Sequence, residues 1–275
     1  MSRVTRDKCG DSMSFALPGA PGCTVAKEGA TLSVRDFDRH YRSASLPVVI
    51  RNATLKSTAD YRRRTRIAAL LDEVGQARVT LSSANAFSYG RKKMSVSEYF
   101  AEALGEEAKA NWVAAADDDG AAAGMYYWFG EHGPELTALT SSYPLPRYAN
   151  PSARLSFADV AADGAASGAD APTEPPALSF GVGPDGSGVP FHFHNDGFSE
   201  VLHGHKYWLL YPQRPPRFRE NATSVAWLKH DYPLLHADER PLTCLIGPGD
   251  LLYFPKGWWH AVVNVGETVF MSTFL

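Results

Sequence analysis

The chain has 275 residues and a mass of 30.0 kDa, with 44% hydrophobic and 12% aromatic content; this supports one large core and excludes a mainly disordered protein. A net charge of −3 supplies no field for nucleic acid, and the runs Arg62-Arg63-Arg64 and Arg91-Lys92-Lys93 are short enough to read as solvated faces. No apolar run reaches the roughly 18 residues of a membrane span, and no apolar h-region follows Met1, so any secretory signal is expected to have been trimmed or never present.

Residues 1–22 are small, polar and broken by glycine and proline, and read as a loose N-terminal arm. Ser33-Val34-Arg35-Asp36 has the spacing of a capping box, with aspartate in the usual Glu/Gln place, and Val34, Phe37 and Tyr41 follow at helical intervals. Leu46–Ile50 reads as a buried strand. Ile67, Leu70, Leu71 and Val74 mark a helix stopped at Gly75, ahead of the alternating strand Val79-Thr80-Leu81. Ser95-Val96-Ser97-Glu98 is a full capping box and opens a helix through Leu104 to Gly105. Met125–Phe129 is an aromatic-rich strand, whose Tyr126-Tyr127-Trp128-Phe129 either lines a cavity or packs in the core. Residues 158–176, rich in Ala, Gly, Asp and Pro without periodicity, predict a flexible surface insertion.

From Leu178 the texture changes to short strands: Leu178–Val182, Val189–His194, Ser199–Tyr211, Leu242–Ile246, Leu251–Phe254, His260–Val265 and Thr268–Phe274. Pro190 implies an edge position or a late start for the second. Pro248-Gly249-Asp250, Pro255-Lys256-Gly257 and Gly266-Glu267 punctuate the later ones. The spacing predicts a mainly β protein, a double-sheet jelly roll behind N-terminal helices. With no internal repeat and no second core, residues 23–275 form one domain.

His192-Phe193-His194-Asn195-Asp196, answered by Trp258-Trp259-His260, carries the chemistry. Histidines two apart share one side of an extended strand, and a third on a distant strand completes one face of a metal's coordination sphere. The opposite face then stays open for substrates and dioxygen. The usual facial triad has two histidines and a carboxylate, but His194 occupies the carboxylate slot. Asp196 keeps the strand's parity but adjoins Gly197 in a turn. Three readings stay open: a three-histidine site, a slip to Asp196, and a degenerate site in which His194 makes ordinary hydrogen bonds. If Lys206 faces inward, Gly204 and Trp208 share its face, while His203, His205 and Tyr207 point away, the two histidines toward the surface. Asn264, four residues after His260 on the same face, either supports the metal and cofactor site or is a plain ladder position.

Cys9, Cys23 and Cys244 are too few and scattered for zinc. They read either as free thiols or as a Cys23–Cys244 disulfide with Cys9 left over. The sequons Asn52-Ala53-Thr54 and Asn221-Ala222-Thr223 lean toward an oxidising, glycosylating compartment; Asn150-Pro151-Ser152 is disqualified by its proline. The endoplasmic reticulum lumen or secretory pathway is therefore expected, with the cytoplasm as the alternative.

Phe198-Ser199-Glu200-Val201-Leu202-His203-Gly204-His205-Lys206-Tyr207-Trp208-Leu209-Leu210-Tyr211-Pro212 and Gly249-Asp250-Leu251-Leu252-Tyr253-Phe254-Pro255-Lys256-Gly257-Trp258-Trp259-His260 resemble the jumonji-C family. Pro47-Val48-Val49-Ile50-Arg51 resembles its N-terminal β segment. Val189-Pro190-Phe191-His192-Phe193-His194 is similar to a small lumenal member with histidine in place of the carboxylate, as are Ala226-Trp227-Leu228 and Ser272-Thr273-Phe274-Leu275. The likeness runs from about Cys23 to Leu275, outside the 158–176 stretch. It implies a cupin-type jelly roll, Fe(II) at His192, His260 and either His194 or Asp196, and Lys206 paired with the distal carboxylate of 2-oxoglutarate. Many members carry Ser or Thr where Val189 stands, a departure at the cosubstrate site.

Two functions follow as expectations. One is an Fe(II)/2-oxoglutarate oxygenase hydroxylating a protein side chain. The other is a catalytically weak or inactive lumenal module that works through protein partners. Neither involves nucleic acid or a membrane span.

Overall fold

A computed structural model describes residues 17, 22–103, 124–149 and 175–275. Its first half alternates short strands and helices: β1 (Ala26–Gly29), α1 (Val34–Phe37), β2 (Val48–Arg51), α2 (Ala59–Arg64), α3 (Ile67–Val74), β3 (Arg78–Ser83), β4 (Arg91–Ser95), α4 (Val96–Ala103) and β5 (Tyr126–His132). The second half is nearly all strand: β6 (Ala177–Gly183), β7 (Gly197–Tyr211), β8 (Leu242–Ile246), β9 (Leu251–Phe254) and β10 (Trp259–Phe274), with one helix at Ser224–His230. The expected caps are in place. Asp36 N donates to Ser33 Oγ at 3.0 Å, and Ser95 and Glu98 bond each other reciprocally at 2.6 and 3.2 Å. The loose-arm expectation falls mostly outside the described residues, although Leu17 packs against the cluster containing Tyr211 and Trp227. The expected helix end at Leu104 and Gly105, the insertion at 158–174 and Cys9 also lie outside them.

One sheet follows the order β1-β2-β9-β7-β10-β6-β5-β3-β4, with β8 also paired to β7. The two longest strands build the jelly roll, because each changes neighbours midway. β7 pairs with β9 over Gly197–Glu200 and with β8 over Lys206–Leu210. β10 pairs with β6 from Thr268 onward, whereas its first half meets residues 187–192 instead. Both strands bend at glycines of positive φ, Gly204 (φ 71) and Gly266 (φ 70), and the β7–β10 register shifts between Val265 and Val269. Gly266-Glu267 is therefore a bulge inside one continuous strand, a correction to the two strands expected there. Ladder bonds resume on both sides of it, so the chain bends without leaving the sheet.

The bend at Gly204 also resets which side chains face inward. Glu200 and Leu202 lie on the helix-covered side, with Leu202 among Leu70, Trp128 and Phe180. Beyond the corner Trp208 and Leu210 turn into the interior with Val262 and Phe254, while Tyr207 and Leu209 pack under helix Ser224–His230. A Cβ on Gly204 would lie 2.3 Å from the Glu267 carbonyl oxygen. Gly204→Ala is therefore expected to cost about 2 kcal/mol or more, read as a lower midpoint in chemical denaturation. An unchanged midpoint would mean that the corner tolerates a side chain.

Three local expectations need correcting. Val189–His194 is not a regular strand; Pro190 has no N–H to give, and pairing is confined to a few bonds, such as the reciprocal His192–His260 pair at 3.1 and 2.9 Å. Arg62 is not simply solvated: it begins the last turn of α2 and donates to Thr58 Oγ1 at 2.7 Å. His203 is half-buried rather than a surface residue, with Nε2 against the Arg62 carbonyl at 2.7 Å. Arg91-Lys92-Lys93, by contrast, is exposed on the edge strand β4, where charge blocks further pairing.

Cys23 and Cys244 are joined in a disulfide, with Cα atoms 4.1 Å apart and 221 residues of sequence separation. Thr24 N donates to Thr243 O at 2.8 Å alongside it. In the chain-entropy account a closed loop this long constrains the unfolded chain, so Cys23→Ser with Cys244→Ser should lose about 2–4 kcal/mol in denaturant titration. A double variant as stable as the parent would refute this. Asn52 and Asn221 are both exposed.

Candidate metal centre

The folded-over sheet brings His192 and His194, on the irregular segment before β7, against His260 near the start of β10. Each ring is locked the same way. Nδ1 of His192 donates to Pro190 O at 2.8 Å, that of His194 to Asn195 O at 2.6 Å, and that of His260 to Trp258 O at 2.9 Å. A carbonyl only accepts, so each Nδ1 carries the proton and each Nε2 keeps its lone pair. The donor atoms of the three rings lie within 4.8 Å of one another, with Nε2 of His194 and His260 3.1 Å apart. Lone pairs at that separation repel unless a proton or a cation is shared between them.

Electrostatics holds the rings neutral. Burial, with the neighbouring His194, pushes His192 down to about 4. Burial also lowers His194, and burial with His192 and His194 nearby takes His260 well below the usual imidazole range. Neutral imidazole is the form that binds a metal. Aromatic rings hold the cluster in place: Phe254 stacks on His260 at 5.0 Å between centroids, and Phe274 meets His194 edge-on at 4.9 Å.

Lys206 points into the same cavity. It is 3% exposed, with Nζ 3.1 Å from the Phe270 ring centre and 5.5 Å from that of Trp208. Burial drives its ammonium well below the ordinary lysine range. The cavity is also lined by Phe129, Val189, Val262, Ser272 and Phe274, with no Asp or Glu, and its volume is about 20 Å³. A cavity needs about 10–15 Å³ to admit one water, so this one has room for an ion and at most a small further ligand. Three neutral nitrogens converging on one point suit a divalent ion. Phe270 lies against the ammonium that would meet 2-oxoglutarate and Val189 offers no hydroxyl, so the lining departs from what that five-carbon dicarboxylate needs.

Other expected site residues lie apart from the cluster. Asp196 accepts from Tyr253 Oη at 3.3 Å, and its backbone carbonyl takes the Leu275 N–H at 3.1 Å. Asn264 shares the His260 face, yet its Nδ2 donates to Ser187 Oγ at 2.9 Å and anchors the preceding turn rather than lining the cavity. Of the aromatic run, Phe129 alone lines the cavity, while Trp128 is in the core beneath the helices. Phe270, Ser272 and Phe274 were not foreseen as wall residues. They lie beyond the Gly266 bulge, across which strand parity counted from His260 gives no warrant.

The profile of the cupin-like domain family matches residues 34–274. The chain is 35% identical over 267 residues to JmjC domain-containing protein 8 of Homo sapiens, covering 94% of this chain and 88% of that protein. It is 36% identical over 255 residues to the Rattus norvegicus protein of the same name, covering 92% and 82%. Over a shorter stretch of 100 residues it is 30% identical to the Mus musculus 2-oxoglutarate and iron-dependent oxygenase JMJD4, covering 32% of this chain and 23% of that one.

Proposed function

The chain belongs to the cupin-like JmjC family, and from that premise we propose that it is a divalent-metal-binding member with little or no 2-oxoglutarate turnover, acting through protein contacts in the secretory pathway. One observation carries this reading: three Nδ1-anchored imidazoles aim their free nitrogens at one point in a cavity sized for an ion. A bound iron would supply dioxygen chemistry there, or a bound zinc Lewis acidity. The chain's own residues hold the ion. His192, His194 and His260 are the ligands, and Phe254 and Phe274 keep the rings from turning. With no carboxylate among the ligands the centre carries one negative charge fewer than the usual triad, which weakens its hold on Fe(II). The disulfide and the exposed Asn52 and Asn221 favour the lumen over the cytoplasm.

A second reading, an Fe(II)/2-oxoglutarate hydroxylase of a protein side chain, draws support from Lys206 in the cavity wall and from the mouse relative's name as a 2-oxoglutarate and iron-dependent oxygenase. Metal content by mass spectrometry, measured beside 2-oxoglutarate consumption, separates the two. About one metal per chain with consumption at background is the expected result. Brisk consumption would favour the hydroxylase, and a protein that takes up no divalent metal would defeat both.

A further inference from the structure

The lining of the cavity presents a charge problem that the histidines do not solve. Three neutral imidazoles leave a divalent ion with its full charge, and the ammonium of Lys206 faces the same space from β7. No carboxylate among the lining residues answers either cation. Burial without a partner favours the neutral amine, and an anion between the metal and Nζ would stabilise both charges at once.

Size limits which anion can enter. The space is small, about 20 Å³, and the Phe270 ring bounds it at Lys206. Resting on the metal reading above, we propose that the centre takes a compact monoanion of formate or azide size, bound end-on between the metal and Lys206, and excludes 2-oxoglutarate. One end of the anion ligates the ion and the other accepts from the ammonium. Phe270 sets the size limit: its ring lies against Nζ and fills the space over Gly181, where an added Cβ would come within 2.2 Å of it. A longer dicarboxylate has to displace that ring.

The test uses the full chain loaded with Co(II), whose visible absorption reports its ligands. Formate and azide should each shift the spectrum saturably, acetate more weakly, and 2-oxoglutarate not at all. Lys206→Met should weaken formate binding about ten- to a hundredfold, with Co(II) stoichiometry unchanged; that stoichiometry also shows that the variant folds. Phe270→Leu should admit 2-oxoglutarate by opening the wall. The proposal fails if 2-oxoglutarate shifts the parent spectrum as readily as formate, if Lys206→Met binds formate like the parent, or if Phe270→Leu still excludes the dicarboxylate. Co(II) uptake with a spectrum indifferent to formate and azide overturns this proposal alone. Absence of Co(II) uptake overturns the metal reading and this proposal with it.

Discussion

His260→Ala is expected to lower divalent-metal affinity by more than about a hundredfold, beyond what is typical for loss of an outer-shell partner. His260 bridges the two parts of the site: its backbone pairs reciprocally with His192, and its Nε2 faces that of His194 at 3.1 Å. Alanine keeps the backbone pair and removes the ligand, so the loss should appear in a chelator competition while the thermal transition shifts only modestly. His194→Asp provides the contrast, because an anionic ligand in the second position should tighten Fe(II) by about tenfold. Metal affinity unchanged in His260→Ala would mean that the histidines are not the ligands. Brisk turnover in the parent, abolished by His194→Asp, would make the three-histidine form the working one.

Glu200→Ala should cost about 3–5 kcal/mol, among the largest stability effects in the chain. Glu200 is fully buried; Thr58 Oγ1 and Tyr143 Oη each donate to it at 2.6 Å, and Arg62 Nη1 stands 3.9 Å away. Removing it takes the shared acceptor from the Thr58 and Tyr143 hydroxyls and the nearest buried carboxylate from Arg62 beneath α2. Its pH signature has a definite sign. Burial raises its carboxyl above the ordinary range, with the bonds from Thr58 and Tyr143 opposing. An acid whose folded pKa is raised contributes its stability fully below the unfolded value and loses it as pH rises through the folded value. Glu200→Gln, which mimics the protonated form, should therefore be most costly relative to the parent in acid and approach it as pH increases. A deficit that widens with rising pH would show that the carboxylate, rather than the acid, is the stabilising form.

The contrast between Lys206 and Glu200 shows how far the sequence can be read. His192 and His194 two apart, Trp258-Trp259-His260 far downstream and Gly204-x-Lys206 were legible, because strand parity assigns each side chain a side. The three histidines and Lys206 do share one cavity. Parity works only between bends, however. Gly204 resets it, so Glu200, even-numbered like Lys206, lies on the opposite side of the sheet. Helix α2 escaped notice because its apolar content is a single buried Tyr61 among charged neighbours, and packing on β7 stabilises it rather than periodicity. The size of the cavity was not legible either. It depends on Phe270 and Lys206 meeting across β7 and β10, a distance that neither strand encodes alone.

The Cys23–Cys244 bond closes a covalent ring that contains His192, His194 and Lys206, while His260 and β10 follow it in the chain. A protease that cuts once anywhere between those cysteines opens the ring without releasing a fragment. The nicked chain stays in one piece on a denaturing gel until a thiol is added, then separates into two. A cut between His194 and Cys244 puts His260 on a different segment from His192 and His194, yet the bond keeps the two segments tethered at high effective concentration.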